Sequence, residues 1–149
     1  MPEPLTLYCA GYGYSAAALA KRLITQGWRV KGTTSKDAKQ AEMAVLGVEA
    51  VSWPPVANDL AGVTHFLVSA GPDEAGDPTL REAKDVIANA SFDWVGYLST
   101  TGVYGDHGGG WVDEDTPLTP STKRGALRVR AEAEGWDMNL PLHIFRLAG

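Results

Sequence analysis

Apolar positions along the chain follow two alternating registers. Short, nearly continuous apolar runs suit strands buried on both faces, and they alternate with stretches whose apolar residues recur every three or four positions, as in helices. Strands are predicted at Leu5–Ala10, Arg29–Thr33, Val48–Ser52, Thr64–Ser69, Trp94–Thr100 and Leu142–Gly149. Helices are predicted at Ser15–Gln26, where Ala16, Leu19, Ala20, Leu23 and Ile24 share a face, and at Asp37–Leu46. Two more follow at Thr79–Ala90, with Leu80, Ala83, Ile87 and Ala90 aligned, and at Arg124–Trp136. Gly27 and Gly47 stand where helix-terminating glycines belong. Between the third and fourth strands Trp53-Pro54-Pro55 excludes a helix, leaving only Asn58–Ala61 for a single turn. The alternation predicts an α/β fold: a doubly wound parallel sheet, strand order 3-2-1-4-5-6, with helices on both faces.

The first strand runs straight into Gly11-Tyr12-Gly13-Tyr14-Ser15-Ala16, and a helix-forming run follows without a break. This Gly-x-Gly-x-x-Ala order is the one a dinucleotide requires. Gly11 permits the tight turn, Gly13 lets the backbone approach a pyrophosphate, and Ala16 lets the helix pack closely on the strand. Free N–H groups at the helix start then face the phosphate charge. The contiguity of strand, turn and helix marks a Rossmann domain, with Gly11, Gly13, Tyr14 and Ser15 as candidates for holding the pyrophosphate.

Composition narrows the picture. The chain has 149 residues, 44% of them hydrophobic, which suits one compact α/β domain with a sizeable core. Its net charge of −5 and the lack of a basic stripe argue against a nucleic-acid partner. Cys9 is the single cysteine, falls in the first strand and is expected to be buried filler. His65, His107 and His143 lie on separate elements without metal-ligand spacing, and Asp113-Glu114-Asp115 is expected to be a solvated loop, so no metal site is predicted. No apolar run suits a bilayer span and no signal pattern opens the chain, so the expected location is cytoplasmic. A chain finishing on a strand is expected to be part of a longer protein, its substrate lobe apparently absent.

In such a fold the end of the second strand faces the adenosine ribose, where an acid selects NAD and a basic residue accommodates the 2′-phosphate of NADP. Here it reads Thr33-Thr34-Ser35-Lys36, three hydroxyls and an ammonium with no acid among them. The expected cofactor is therefore NADP, with NAD the alternative, and Thr34, Ser35 and Lys36 are its ribose-side candidates. The same residues also suit a polar turn that caps the next helix, with Ser35 or Asp37 as N-cap.

Later stretches add a resemblance. Tyr97-Leu98-Ser99-Thr100-Thr101-Gly102-Val103-Tyr104-Gly105 is followed by Trp111-Val112-Asp113-Glu114-Asp115-Thr116-Pro117 and, in the next helix, Ala131-Glu132. With the glycine motif, Leu67-Val68-Ser69-Ala70-Gly71-Pro72 and Gly76-Asp77-Pro78, the whole chain resembles the NAD(P)-dependent epimerase/dehydratase family of extended short-chain dehydrogenases. Within it the chain is most similar to the atypical, sugar-nucleotide-epimerase-like branch. The resemblance implies that Thr100 touches the substrate and that Ala70, Gly71 and Pro72 border the nicotinamide ribose. It also implies a Tyr-x-x-x-Lys pair on the next helix, from which this chain departs. Counting back from Glu132, Arg124 stands at the Tyr position and Arg128 at the Lys position. Arg128 can still donate to ribose hydroxyls, whereas a guanidinium at 124 cannot shuttle a proton near neutral pH. Tyr104 is the nearest other phenol, open to a catalytic or a loop-anchoring role. The basic residues Lys123, Arg124, Arg128 and Arg130 are open to a second reading, at least two of them simply solvating a helix face.

The implied activity is hydride transfer on a carbonyl or alcohol of a small-molecule substrate, with nucleotide-sugars as candidates. Thr100, Tyr104 and Arg128 are the candidate catalytic residues. The alternative is a non-catalytic NADP-binding sensor or regulatory module, as the altered Tyr-x-x-x-Lys pair would permit.

Overall fold

The computed structural model describes residues 2–148. In chain order these form β1 (Thr6–Ala10), α1 (Tyr14–Ile24), β2 (Arg29–Thr33), α2 (Asp37–Leu46), β3 (Glu49–Val51) and α3 (Ala57–Leu60). Then come β4 (His65–Val68), α4 (Pro78–Ala88), β5 (Trp94–Thr100), a 3-10 turn (Thr101–Val103), α5 (Lys123–Asp137) and β6 (Leu142–Leu147). Gly149, part of the predicted last strand, lies outside the described residues. The strands form one sheet in the order β3-β2-β1-β4-β5-β6, and every pairing is parallel.

β1 is one of the two central strands, and all five of its residues are buried, as a strand covered by helices on both faces requires. Its side chains alternate between two cores. Leu7 and Cys9 pack with Ala16 and Ala20 of α1 and Met43 of α2. Tyr8 and Ala10 pack with Phe66, Val68 and Val95, beneath Ile87 of α4 and Ala131 of α5. Ala16 and Ala20 have no exposed surface, so their small side chains bring α1 down onto the sheet. Burial also pushes the Cys9 thiol up to about 12, which keeps it a protonated packing group. Among the described residues no helix is long and apolar enough to cross a membrane.

Element boundaries move for local reasons. β3 is shorter than Val48–Ser52, because β2 ends at Thr33, opposite Val51, and leaves Ser52 no strand partner. α2 begins after Lys36, which occupies the N-cap position without a side-chain cap; neither Ser35 nor Asp37 caps it. The Lys36 N–H donates to Thr34 Oγ1 at 3.2 Å, and this tight turn sets the junction one residue beyond Ser35. α1 starts one residue early at Tyr14, with Gly13 as its N-cap.

Two buried carboxylates fix helices in place, one against the sheet and one as a helix cap. Glu132 of α5 accepts from Ser99 Oγ of β5 at 2.6 Å and from Arg146 Nη2 of β6 at 2.7 Å. Arg146 also donates to the Tyr104 hydroxyl at 3.0 Å, so one guanidinium ties β6 to α5 and to the segment after β5. Asp77 caps α4 by accepting from the Leu80 N–H at 3.0 Å, with Pro78 at the first helical position. Its Oδ2 has no partner among the described residues, and burial pushes the carboxyl above the ordinary aspartate range.

Two stability predictions follow from these contacts. Arg146→Met strands the Glu132 charge in the core and should cost about 3 kcal/mol, the loss typical of a broken buried pair, measured by urea denaturation. A change under about 1 kcal/mol, the level of a surface pair, would contradict the clamp. For Asp77 the folded-state pKa lies above the unfolded one. The stability it contributes is therefore present below the ordinary aspartate value of about 3.9 and lost as pH rises through the raised folded value. Asp77→Asn keeps a good cap and removes the charge, so it should gain stability over the unaltered chain at pH 7.5, with the gain shrinking towards pH 4. Urea midpoints at both pH values check this, and a pH-independent difference would count against the assignment.

Candidate dinucleotide cleft and adjoining pocket

β1 has β2 on one side and β4 on the other, so the chain diverges at the carboxyl ends of these strands and opens a crevice there. The glycine turn sits in it, held from both sides. The Gly11 N–H donates to Thr33 Oγ1 at 2.8 Å, and the Tyr12 N–H donates to Thr33 O at 2.8 Å. From β4, the Ser69 hydroxyl donates to Gly11 O, and the Ser69 and Ala70 N–H groups both donate to Ala10 O. Gly11 has φ of +90°, and a Cβ there would come within 3.0 Å of the Ala70 nitrogen, so both conformation and space demand glycine. Tyr12 turns inward over Gly32, where a Cβ would meet its ring at 2.9 Å.

Gly13 is different. Its φ of −99° is open to any residue, and beyond its chain neighbours no atom of the described residues lies within 4 Å of where its Cβ would be. The missing side chain therefore serves neither fold nor packing. Just beyond it α1 begins without a side-chain cap, so the first-turn N–H groups have no partner among the described residues. A cradle of this kind fits a phosphate group.

The resulting cleft encloses about 890 Å³ and brings together Gly11, Gly13, Thr34, Ser35 and Ala70. Tyr14 and Ser15 follow in the first turn of α1, both exposed. Lys36 is exposed at the start of α2 and does not line the cleft. The count of three free hydroxyls at the end of β2 is corrected: Thr33 is buried and its oxygen is committed to Gly11. Gln40, Ser52 and Trp53 also line the cleft. Sequence reasoning missed them, and it missed Thr33 as the brace of the turn. The position of Thr33, last in its strand beside the glycine motif, was the available signal.

Gly71 and Pro72 fall in an adjoining pocket of about 490 Å³, together with Thr100, Thr122, Arg124 and Arg128. Thr100 Oγ1 accepts from the Gly102 N–H at 3.1 Å, and its own O–H has no acceptor among the described residues. Arg128 Nη1 donates to Leu98 O at 2.8 Å and to the Tyr97 hydroxyl at 3.1 Å, while Nη2 faces Gly71. Burial pushes the Tyr97 phenol up to about 12, so it stays protonated beside that guanidinium. Tyr104 is not brought into this pocket. It is buried, its hydroxyl is held by Arg146, and its carbonyl accepts from Thr119 Oγ1 at 2.7 Å, which anchors the long loop. No tyrosine, lysine, histidine, aspartate or glutamate lines the pocket among the described residues.

The segment between β4 and α4 borders both spaces and is pinned by α5. Glu134 accepts from the Asp77 N–H at 3.0 Å, and Arg130 donates to the carbonyls of Glu74 and Ala75.

No family model and no curated protein matches the chain. Among solved structures, a conserved protein of unknown function from Silicibacter pomeroyi is similar over 97% of this chain at 51% identity, with a TM-score of 0.90, across 53% of its own length. A UDP-glucuronic acid 4-epimerase from Bacillus cereus, solved with UDP-glucuronic acid and NAD, is similar over 95% of the chain at 16% identity, with a TM-score of 0.73, across 56% of its length. TunA, an NAD-dependent NDP-hexosamine 5,6-dehydratase of tunicamycin biosynthesis, is similar over 95% at 18% identity, with a TM-score of 0.75, across 54% of its length. The chain thus spans about half the length of the structures it matches. The chain shares its six-stranded parallel, Rossmann-like fold with these NAD-dependent epimerases and dehydratases.

Proposed function

We propose that the cleft beside Gly11 and Gly13 binds a nicotinamide dinucleotide, and that a protein built on this chain transfers hydride between it and a carbonyl or alcohol carbon. Nucleotide-sugars are among the candidate substrates. Because the chain spans about half of the matched structures, the activity of a whole protein of that length is part of the proposal.

Gly13 is the observation that carries the reading. Nothing among the described residues needs a glycine there, and the space left open fronts N–H groups without a partner among them. A pyrophosphate supplies the matching charge and acceptors. The backbone from Gly11 to Ser15 would hold it, Thr34, Ser35 and Lys36 would take the adenosine ribose side, and Ala70, Gly71 and Pro72 would border the nicotinamide ribose. The nicotinamide ring, when bound, supplies or accepts the hydride. The Thr100 hydroxyl, with its proton free, would hydrogen-bond a substrate oxygen. Arg128, braced by Leu98 O and Tyr97, would donate to ribose hydroxyls.

The chemistry of the adjoining pocket supports a second reading. Arginines stand at the positions of the proton-shuttling Tyr and its Lys, and a guanidinium does not deprotonate near neutral pH. A dinucleotide-binding sensor without turnover is consistent with that. A steady-state assay on the dinucleotide-bound protein separates the two readings.

NADP is the proposed cofactor, in contrast to the NAD of the structurally similar enzymes. Ser35 and Lys36 are exposed in the junction between β2 and α2, and the nearest acid, Asp37, belongs to α2. A charge-assisted contact to a 2′-phosphate contributes about 1.5–3 kcal/mol, so NADPH should bind roughly tenfold or more tightly than NADH in calorimetric titration. Lys36→Ala should shrink that ratio. Equal affinities in the unaltered chain would contradict the preference.

The two glycines separate binding from folding. Gly13→Ser supplies a better N-cap, so the melting temperature should hold or rise slightly while NADPH affinity falls at least tenfold. Gly11→Ala, forced to positive φ against Ala70, should lose stability by about 1–2 kcal/mol. Undiminished NADPH binding by Gly13→Ser would overturn the reading of the cleft.

A further inference from the structure

The four basic residues at the start of α5 separate into two kinds. Lys123 pairs with Glu74, and Arg130 pairs with Glu134 at 3.0 Å, both on the exposed side. Arg124 and Arg128, four residues apart and so on one helical face, line the pocket beside Thr100. Arg124 makes no hydrogen bond or ion pair among the described residues. Among the described residues Arg128 has only neutral partners, the Leu98 carbonyl and the Tyr97 hydroxyl.

This arrangement works against the helix. Like charges at i and i+4 repel, and Arg124 adds a cation in the first turn, where the helix dipole already presents its positive end. Among the described residues no carboxylate side chain lines the pocket to offset them. Asp77, close enough for Arg128 to influence it, is buried in the core and caps α4. The pocket thus gathers two guanidinium groups, a helix N-terminus and the free Thr100 O–H around about 490 Å³ of open space, with one guanidinium already braced in position.

We infer that this pocket is an oxyanion site, in which Arg124 binds a carboxylate or phosphate carried by the substrate and Arg128, beside the nicotinamide ribose, adds a second positive charge to hold it. The inference rests on the proposed function for its place beside the reacting carbon, and it narrows the substrate class to anionic carbonyl or alcohol compounds. Arg124 supplies the planar fork that suits bidentate binding of such a group. Arg128 supplies a second, pre-oriented charge, and Thr100 a neutral donor. The two arginines at the positions of the Tyr and Lys then bind and orient rather than move a proton.

The test is titration of the full chain, with and without NADPH, by oxalate, by methyl phosphate and by neutral oxamide at fixed ionic strength. The side-chain Nε–H resonances of the arginines are followed by NMR. Saturable shifts at Arg124 and Arg128 with oxalate or methyl phosphate, and none with oxamide, are expected. The relative strength of the two anions tells which oxyanion the pocket prefers. Arg124→Gln should weaken binding roughly tenfold, and Lys123→Gln, which removes the neighbouring charge outside the pocket, should leave it unchanged. Arg124 is exposed, so this variant should fold, and an unaltered melting temperature verifies it. Anion binding that survives Arg124→Gln, falls equally with Lys123→Gln, or is matched by oxamide overturns the site. Calorimetry with NADPH reads the cofactor proposal separately. If NADPH fails to bind while oxalate still shifts Arg124, the cofactor reading falls and the oxyanion site stands.

Discussion

The carboxyl edge of the sheet depends on how one short turn is braced. Gly11 and Tyr12 hand their N–H groups to Thr33 at the end of β2, while Ser69 and Ala70 hold Gly11 and Ala10 from β4. These contacts exist because β1 lies between β2 and β4 and all three strands run parallel. Any side chain at Gly11 would push this brace apart. With the turn fixed, the axis and unpaired N–H groups of α1 are aimed into the crevice before any ligand arrives. Preorganisation of that kind removes an ordering cost from binding.

α5 plays two roles on two sides. Its sheet-facing side carries Glu132, whose buried charge is matched by Arg146 and Ser99, and that contact fixes the helix against β5 and β6. Its N-terminal half carries the unneutralised arginines. Such a charged face persists because the clamp, rather than the local electrostatics of the first turn, determines where the helix lies. The fold tolerates locally unfavourable charge at the pocket because it is stabilised elsewhere on the same helix.

Much of this architecture is written in local pattern. β5 and α2 have the bounds that their apolar runs and closing glycine predict, and the strand order follows from the alternation of elements. The glycine turn was readable as a turn because it is built from consecutive residues between a strand and a helix. What escaped depends on residues brought together from afar. Thr33 looked like one more ligand hydroxyl until its partner, 22 positions away, used it. Tyr104 looked like a candidate phenol until Arg146, 42 positions on, held its hydroxyl. The sorting of basic residues on α5 was equally hidden, since Glu74, the partner of Lys123, comes from a loop 49 positions earlier. Periodicity reports which face a residue occupies and is silent on which distant group meets it.

The proposed phosphate site at the N-terminus of α1 consists of backbone N–H groups. Backbone amide NMR during titration with NADPH tests it most directly, because the free N–H groups are themselves the probe. The largest shifts should fall on the amides of Gly13, Tyr14, Ser15 and Ala16, with a second group at Thr34–Lys36. Saturating shifts confined to other parts of the chain, or none at these amides, would contradict the account.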